Sequence, residues 1–199
     1  MIYIHFEQLS CIMVNCNIVS ADEMKERIHA YRHQMLSSFA KRQQLAVPTY
    51  DKLAGGKPII TNSHLVFNQS HHDTAYVLVW SLDVDELGVD IECVNRTVKF
   101  ESLARRYFHA DEYRLWQDSG CDVRLWFRIW TIKEAVLKAN GLGIRLTLSE
   151  LNAKFTNANQ GEIYHEKIGH YRFECIDVGD DVVTIAYAGD EWQAWCIDN

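Results

Sequence analysis

Residues 75–92 read AYVLVWSLDVDELGVDIE and contain two apolar runs of strand length. The first run, residues 75–80, is rich in β-branched and aromatic side chains, which are typical of a buried strand. Acidic turn residues follow it, and residues 88–92 continue as a second strand. The sequence therefore predicts two strands in the middle of the chain.

Helical and strand patterns flank this pair. Residues 21–46, 97–117 and 122–140 favour helices, and we expect residues 141–143 to cap the last one. Short antiparallel strands are expected at residues 146–148, 171–177, 182–188 and 192–197. The order helix, strands, helices, strands predicts an α+β fold and not a parallel doubly wound sheet.

Composition and charge exclude several classes of protein. With 199 residues, 48% hydrophobic content and a net charge of −7, the chain is long enough to fold alone and has no overall basic field for nucleic acid. It has no run of about 18 apolar residues and no charged start followed by an apolar segment, so we expect a soluble cytoplasmic protein. Its six cysteines form no C-x-x-C pair and are expected to be reduced and mostly buried.

Asp90 and Glu92 form the first candidate site. Alternate side chains of a strand share a face, so both carboxylates project together, about 6 to 7 Å apart along the backbone, while Val89 and Ile91 face the core. Two like charges this close favour a cation between them. The same spacing is also typical of an edge strand with two solvated acids, so both interpretations stay open at this point.

Residues 130–138, WTIKEAVLK, form the second candidate site. On a helix, Trp130, Glu134 and Lys138 lie on one face, which places a ring, a carboxylate and an ammonium in register. A glutamate followed four residues later by a lysine is also a common surface pair worth only about 0.3 to 0.5 kcal/mol. The motif alone therefore indicates either a site or an exposed helix face.

Two predicted loops carry groups that suit an anion. In residues 67–71, FNQSH, a hydroxyl, an imidazole and free backbone amides are suited to bind a phosphate. In residues 55–58, GGKP, a flexible turn carries one ammonium. A lone histidine is more often structural and such a turn suits any loop, so neither segment identifies a site alone.

The motifs G-K-P, F-N-x-S-H, G-V-D-I-E and W-x-x-K-E-A-x-x-K, in this order, resemble the 4'-phosphopantetheinyl transferase family. The resemblance spans residues 55–143 and is to the surfactin-synthetase-activating type, including its shorter bacterial members. It implies two similar α/β halves with small antiparallel sheets, roughly residues 1–86 and 87–199, packed as a pseudo-dimer with the site between them. It also implies transfer of phosphopantetheine from coenzyme A to a carrier-protein serine, with release of 3',5'-ADP.

The resemblance implies a role for each matching residue. Asp90, Glu92 and Glu134 would hold Mg²⁺, for which Mn²⁺ substitutes, and the metal would bridge the coenzyme A pyrophosphate. Lys138 would offset charge on the phosphate under attack, and Glu134 or a metal-bound water would be the base. The nucleotide end of coenzyme A would be held by Arg42, Lys57, Ser70 and His71.

The implied partner is an acyl or peptidyl carrier protein, which usually presents an acidic helix beside its serine. A basic helical surface follows the acidic strand, and we expect it to be the docking face: Arg96, Lys99, Arg105 and Arg106. The same residues are also typical of a solvated helix face. Two fused halves favour a monomer, and neither nucleic acid nor a membrane is an expected partner.

The chain departs from the family pattern at Gln69, where a small or apolar residue is usual, and at His72 and Asp73, which replace a small pair. These changes bear on the shape of the coenzyme pocket. Two alternatives stay open: an impaired member that binds coenzyme A or a carrier without transfer, and a metal-dependent nuclease. The retained carboxylates and Lys138 argue against the first, and an acidic chain without a basic stripe argues against the second.

Overall fold

Two small sheets and their helices make up the fold, as a computed structural model of residues 1–13, 20–141, 146–189 and 191–197 describes it. Its elements are, in chain order, β1 Ile2–Gln8, α1 Leu9–Ile12, α2 Ala21–Arg42, β2 Tyr50–Lys52, β3 Pro58–Ile60, β4 Val66–His71, β5 Ala75–Ser81, β6 Leu87–Cys93, α3 Phe100–Tyr107, α4 Ala110–Asp118, α5 Val123–Asn140, β7 Lys154–Phe155, β8 Gln160–His165, β9 Gly169–Val178, β10 Asp181–Ala188 and β11 Trp195–Ile197. The sheets are ordered β11-β1-β5-β4 and β6-β10-β9-β8-β7, and β2 pairs with β3 in a separate hairpin. The predicted α+β class is confirmed.

Strand β5 joins the two sheets because both of its faces are buried. Alternate side chains of a strand point to opposite faces. One face, with Tyr76 and Trp80, packs against α2. The other face, with Val77 and Val79, packs against β6 and β10 of the second sheet. The two sheets therefore share one apolar layer.

Helix α5 lies directly on β6 at Gly88. A Cβ atom at this position would lie 2.0 Å from the carbonyl oxygen of Ala135 and 2.5 Å from the backbone nitrogen of Ala139. No side chain larger than hydrogen fits there unless one backbone moves away from the other. This close contact brings Asp90 of β6 beside Lys138 of α5.

Lys57 anchors the β2–β3 hairpin to this packing. Its ammonium donates hydrogen bonds to the carbonyl oxygen of Leu87 at 3.1 Å and to that of Ala139 at 2.5 Å. Leu87 begins β6, and Ala139 lies in the last turn of α5, where carbonyl groups have no intrahelical partner. A cation is favourable at this end of a helix, so Lys57 stabilises the place where hairpin, strand and helix meet.

The predicted helices are present with different bounds. Within residues 21–46 there is the single helix α2, which ends at Arg42, whereas residues 97–117 are divided between α3 and α4. The division lies at His109, whose side chain accepts a hydrogen bond from a backbone amide of α4 while the Glu112 carboxylate binds the His109 amide. Gly141 caps α5 with a φ of 79°, as expected, and residues 142–143 of the predicted cap lie outside the described residues.

Two predictions about local structure are wrong. Residues 67–71 do not form a loop, because they pair with β5 along strand β4. Residues 146–148 do not form a strand; a 3-10 helix, Leu148–Glu150, begins there. The carbonyl groups of Leu148 and Leu151 bind the Lys133 ammonium instead of a neighbouring strand.

The cysteines differ from the expectation of mostly buried thiols, which is wrong. Of those that the structure describes, all are free, but only Cys175 is buried, and Cys11 and Cys121 are exposed. The exposed pair lies in α1 and in the turn after α4, outside the apolar core, and Cys16 lies outside the described residues. Within the described part of the chain, no helix is long and apolar enough to cross a membrane.

Gly88→Ala should lower the free energy of unfolding by at least about 3 kcal/mol, because backbone atoms of α5 leave no room for the methyl group. Urea unfolding followed by circular dichroism measures the effect. The matched control is Gly120→Ala, where no atom lies within 4 Å and only the positive φ of 76° opposes alanine, at about 1 to 2 kcal/mol. Equal losses in the two variants would contradict the proposed steric role.

Candidate active site

Several of the predicted residues line a cavity of about 650 Å³, which we name the main cavity. Its wall combines the turn of the β2–β3 hairpin, one edge of β4, one face of α5, the end of α3 and the segment before the 3-10 helix. The lining residues are Gly55, Gly56, Lys57, Pro58, Asn68, Gln69, Arg106, Tyr107, Glu134, Leu137, Lys138, Gly141, Leu146, Thr147 and Leu148. Strand β4, the β2–β3 hairpin and helices α3 and α5 therefore form one site.

Lys138, Ser70 and Asp90 form a hydrogen-bonded cluster beside this cavity. The Lys138 ammonium lies 2.6 Å from Asp90 Oδ1 and 2.8 Å from Ser70 Oγ, and the Ser70 hydroxyl donates to Asp90 Oδ1 at 2.9 Å. Asp90 is only 6% exposed, and its other oxygen, Oδ2, accepts no hydrogen bond from the described residues. A buried carboxylate oxygen without a partner is costly, so this atom is suited to receive a cation or a donor.

Glu134 lies one helical turn before Lys138 and lines the main cavity. Burial, and then the charge of Asp90, raise the pKa of its carboxyl group, while the Lys138 ammonium opposes that rise. The carboxyl forms no hydrogen bond with any residue in the described ranges. A partly buried carboxylate with a raised pKa is suited to accept a proton near neutral pH.

Glu92, the third predicted metal ligand, is held by Arg96. The guanidinium donates to both carboxylate oxygens, at 2.8 and 2.7 Å. Within the described ranges, no group of three or more His, Cys, Asp or Glu side chains is arranged to hold a metal ion. The three predicted ligands still influence one another, because the charges of Asp90 and Glu92 both raise the pKa of Glu134.

The predicted coenzyme-binding residues lie at different places. Lys57 lines the main cavity, but its ammonium binds two carbonyl oxygens, and burial lowers its pKa to about 8. His71 lies in a groove beside α2, and burial, followed by the charge of Lys138, lowers its pKa. Arg42 packs on the Phe39 ring near the end of α2 and is not part of the main cavity wall.

A second groove, of about 720 Å³, lies between α2 and the hairpin, and we name it the α2 groove. Its wall includes Arg32, which is only 6% exposed and has no hydrogen-bond partner for Nε and Nη1 within the described part of the chain. The guanidinium lies 4.9 Å from the ring centre of Tyr50 and 5.1 Å from that of Phe67. Buried charged donors without acceptors favour an anion, so the α2 groove is a candidate anion site.

Sequence reasoning missed this groove, although a signal was present. Lys25, His29 and Arg32 have the i, i+4, i+7 spacing that places side chains on one face of a helix. All three line the groove together with Lys52. The predicted cation Arg42 lies ten residues further along the same helix, outside the α2 groove.

The predicted docking residues do not present a uniform basic surface. Arg96 is paired with Glu92, and Arg105 is paired with Glu101 at 2.6 Å. Arg106 lies over the Tyr107 ring and lines the main cavity. Tyr107 in turn contacts Trp130, which stacks on Trp126 instead of facing solvent. The end of α3 therefore belongs to the cavity wall.

Comparisons with known proteins agree with the motif pattern. The family model described as 4'-phosphopantetheinyl transferase superfamily matches residues 86–190. The 4'-phosphopantetheinyl transferase HetI of Nostoc sp. is 31% identical over 150 residues, which are 72% of this chain and 62% of that protein. The 4'-phosphopantetheinyl transferase psf-1 of Bacillus pumilus is 30% identical over 117 residues, 57% of this chain and 48% of that protein. The crystal structure of Thermotoga maritima holo-(acyl-carrier-protein) synthase is 19% identical, with a TM-score of 0.45, over 52% of this chain and 62% of that chain.

The extent of these matches differs between this chain and its relatives. The chain spans 62% of the length of HetI and 48% of that of psf-1. Within this chain, the family model covers more than half of the residues, and the region similar to HetI covers 72%. The resemblance predicted from the motifs is confirmed, and the chain belongs to the 4'-phosphopantetheinyl transferase superfamily.

Proposed function

We propose that the protein transfers the 4'-phosphopantetheine group of coenzyme A to a serine of an apo acyl or peptidyl carrier protein. The observation that carries this proposal is that the main cavity and the α2 groove are adjacent, since Gly56, Pro58 and Gln69 belong to the walls of both. The first has Glu134 and Lys138 in its wall, and the second has the buried guanidinium of Arg32. A long ligand with a phosphorylated nucleotide at one end and a reactive pyrophosphate beyond it fits this pair of cavities.

The two ends of coenzyme A would meet different charges. The nucleotide end would lie in the α2 groove, where Arg32, Lys25 and Lys52 supply positive charge. The pyrophosphate would lie in the main cavity within reach of the Lys138 ammonium. The net charge of the chain is −7, so the protein as a whole does not attract a polyanion. Attraction of the substrate would therefore depend on these few local cations.

The other predicted coenzyme-binding residues receive more specific roles in this proposal. Lys57 would hold the hairpin in place, and Ser70 would orient Lys138 through the 2.8 Å hydrogen bond. His71 would lie at the edge of the nucleotide site, since its groove shares Lys25 and His29 with the α2 groove. Arg42 stays a prediction as a contact for the nucleotide.

Glu134 is the proposed general base. The oxygen of the carrier serine would attack the phosphorus that bears pantetheine, and the serine proton would pass to the Glu134 carboxylate. The bond from that phosphorus to the bridging pyrophosphate oxygen would break, and 3',5'-ADP would leave with its electron pair. The Lys138 ammonium would stabilise the negative charge that accumulates on the phosphate oxygens.

A divalent cation, Mg²⁺ or in its place Mn²⁺, fits the donor set at Asp90 and Glu134. Asp90 Oδ2 has no partner among the described residues, and burial, followed by the charge of Asp90, raises the pKa of Glu134, so both carboxylates are suited to a hard cation. When bound, such an ion would neutralise charge on the pyrophosphate. The family resemblance implies Glu92 as the third ligand, and to bind the ion Glu92 would have to release Arg96.

The partner and setting complete the proposal. The acceptor is an acyl or peptidyl carrier protein, which is consistent with a relative from Salmonella arizonae, a holo-(acyl-carrier-protein) synthase that is 33% identical over 91 residues. It would dock beside α3 with Arg106 nearest the cavity. We further propose that residues 1–86 and 87–199 act as two halves of one monomeric, cytoplasmic enzyme.

One observation favours a second candidate function. Asp90 and Glu92 are both paired with cations of the chain itself, which would suit a member that binds coenzyme A or a carrier without transfer. The proposed transfer requires that these pairs open for substrate. Transfer and binding without transfer are distinguished by whether the carrier protein gains the mass of one phosphopantetheine group.

Incubation with coenzyme A, Mg²⁺ and an apo carrier protein should add one phosphopantetheine group to the carrier, as measured by intact-protein mass spectrometry. EDTA should stop the reaction, and Mg²⁺ or Mn²⁺ in excess should restore it. Binding of coenzyme A with no gain of carrier mass would support the second function instead. Transfer that proceeds equally well with EDTA would contradict the role of a cation.

Glu134→Gln should lower kcat by about 100-fold or more while the Kd of coenzyme A changes little, since the amide keeps the volume and loses the proton acceptor. The wild-type rate should fall as the pH drops through the pKa of Glu134, because only the ionised form accepts a proton. This acid limb should vanish in the variant. Glu174→Gln, at a carboxylate outside both cavities that binds Gln160, is the control and should keep the wild-type profile. An unchanged acid limb in Glu134→Gln would assign the base elsewhere.

Arg32→Met should raise the KM for coenzyme A by about tenfold with little change in kcat, because charge-assisted hydrogen bonds to a phosphate would be lost. Steady-state kinetics with coenzyme A and with dephospho-coenzyme A, which lacks the 3'-phosphate, measures the effect. The KM for the second substrate should change less. Lys41→Met, an exposed cation of the same helix outside the groove, is the control and should match wild type. Equal effects of Arg32→Met on both substrates would contradict a phosphate site at Arg32.

A further inference from the structure

The proposed reaction does not use a fully buried ion pair beside the main cavity. Lys133 of α5 and Glu112 of α4 are 0% and 1% exposed, and the Lys133 ammonium lies 2.7 Å from Glu112 Oε2. Lys133 directly precedes Glu134 on the helix. An ion pair buried this deeply is weak support for stability by itself, because apolar replacements of similar volume are often as stable. Its geometry therefore calls for another explanation.

The pair connects three segments through hydrogen bonds. Lys133 Nζ donates to the carbonyl oxygens of Leu148 at 2.8 Å and Leu151 at 2.5 Å. Glu112 Oε1 accepts from the backbone amide of Ala153 at 2.7 Å, and Oε2 accepts from that of His109, also at 2.7 Å. All three ammonium protons and both carboxylate oxygens thus have partners. Such a completely satisfied buried network holds its members in one arrangement.

The segment that this network holds is a wall of the main cavity. Residues 146–148 line it together with Glu134 and Lys138 of α5, and Leu137 and Tyr107 add further apolar surface. Leu148 provides both a lining side chain and one of the carbonyl oxygens bound to Lys133. The distance between this apolar wall and α5 is therefore set by the ion pair.

We propose that Lys133 and Glu112 are positioning residues that fix the apolar wall at residues 146–148, and that this wall binds the uncharged pantetheine arm of the substrate. The identity of the ligand rests on the proposed function. The wall itself follows from the described contacts. Because neither side chain reaches the cavity surface, the pair acts on the ligand only through Leu148 and its neighbours.

The test variant is Lys133→Met/Glu112→Gln, which removes both charges, nearly keeps the volume and leaves no unpaired buried ion. The matched control is Thr131→Val on the same helix. It removes a buried hydroxyl that lies 2.7 Å from Thr184 Oγ1 of β10, away from the cavity wall. Calorimetric titration with coenzyme A and with 3',5'-ADP, which has no pantetheine arm, compares the three proteins.

The Kd of coenzyme A should rise by about fivefold in the double variant, roughly the effect of losing one or two buried methylene contacts. The Kd of 3',5'-ADP should stay within about twofold, and Thr131→Val should leave both values unchanged. A double variant that binds both ligands like wild type, or that weakens both equally, would overturn the role of the wall in binding the arm.

Amide hydrogen exchange tests the positioning role separately from the proposed function. Exchange at residues 148–153 should become faster in the double variant than in Thr131→Val, because only the former loses the two hydrogen bonds that Lys133 donates to this segment. Unchanged exchange there would overturn the positioning role. If the wild-type protein bound neither ligand, the proposed function would fail, and the exchange rates would still decide whether the pair holds the wall.

Discussion

The contact between α5 and β6 at Gly88 is the constraint on which the site depends. Asp90 and Lys138 are 48 positions apart in the sequence, and they meet because the helix backbone lies against the strand without an intervening side chain. Lys57 depends on the same distance, since its two carbonyl acceptors belong to β6 and to α5. A wider gap between helix and strand would thus separate the carboxylate from the ammonium and release the hairpin as well.

Charge in the site is balanced by pairing within the chain. Lys138 and Ser70 bind one oxygen of Asp90. Arg96 binds both oxygens of Glu92. Glu134 has a raised pKa, chiefly because it is buried. In the proposed reaction, a pyrophosphate would compete with Asp90 for Lys138, and a cation would compete with Arg96 for Glu92. The site would then exchange internal partners for substrate partners, which limits the cost of desolvating its charges.

The α+β class and the carboxylates on one face of β6 were predictable because both follow from local periodicity. That residues 67–71 form a strand was not predictable from local sequence. Its polar side chains Asn68 and Ser70 are buried, and their hydrogen-bond partners, Val89 and Asp90, lie about 20 positions away. Lys57 was predicted to be a cation available to a ligand in a glycine-rich turn, because its partners are also distant in the sequence. Its acceptors are main-chain carbonyl groups, which no pattern of side chains identifies. Arg32 was detectable from helix spacing, but its burial between two rings was not.

Strand β11 has a consequence for the order in which the protein is assembled. It pairs in parallel with β1, so that Ile2 lies beside Trp195, while the other neighbour of β1 is β5. During synthesis from the amino terminus, one edge of β1 stays without a partner until residues 195–197 have left the ribosome. Pairings between such distant residues form slowly, and an open strand edge is a site of wrong association. The nascent protein therefore keeps one open strand edge, and with it a risk of aggregation, until β11 has emerged.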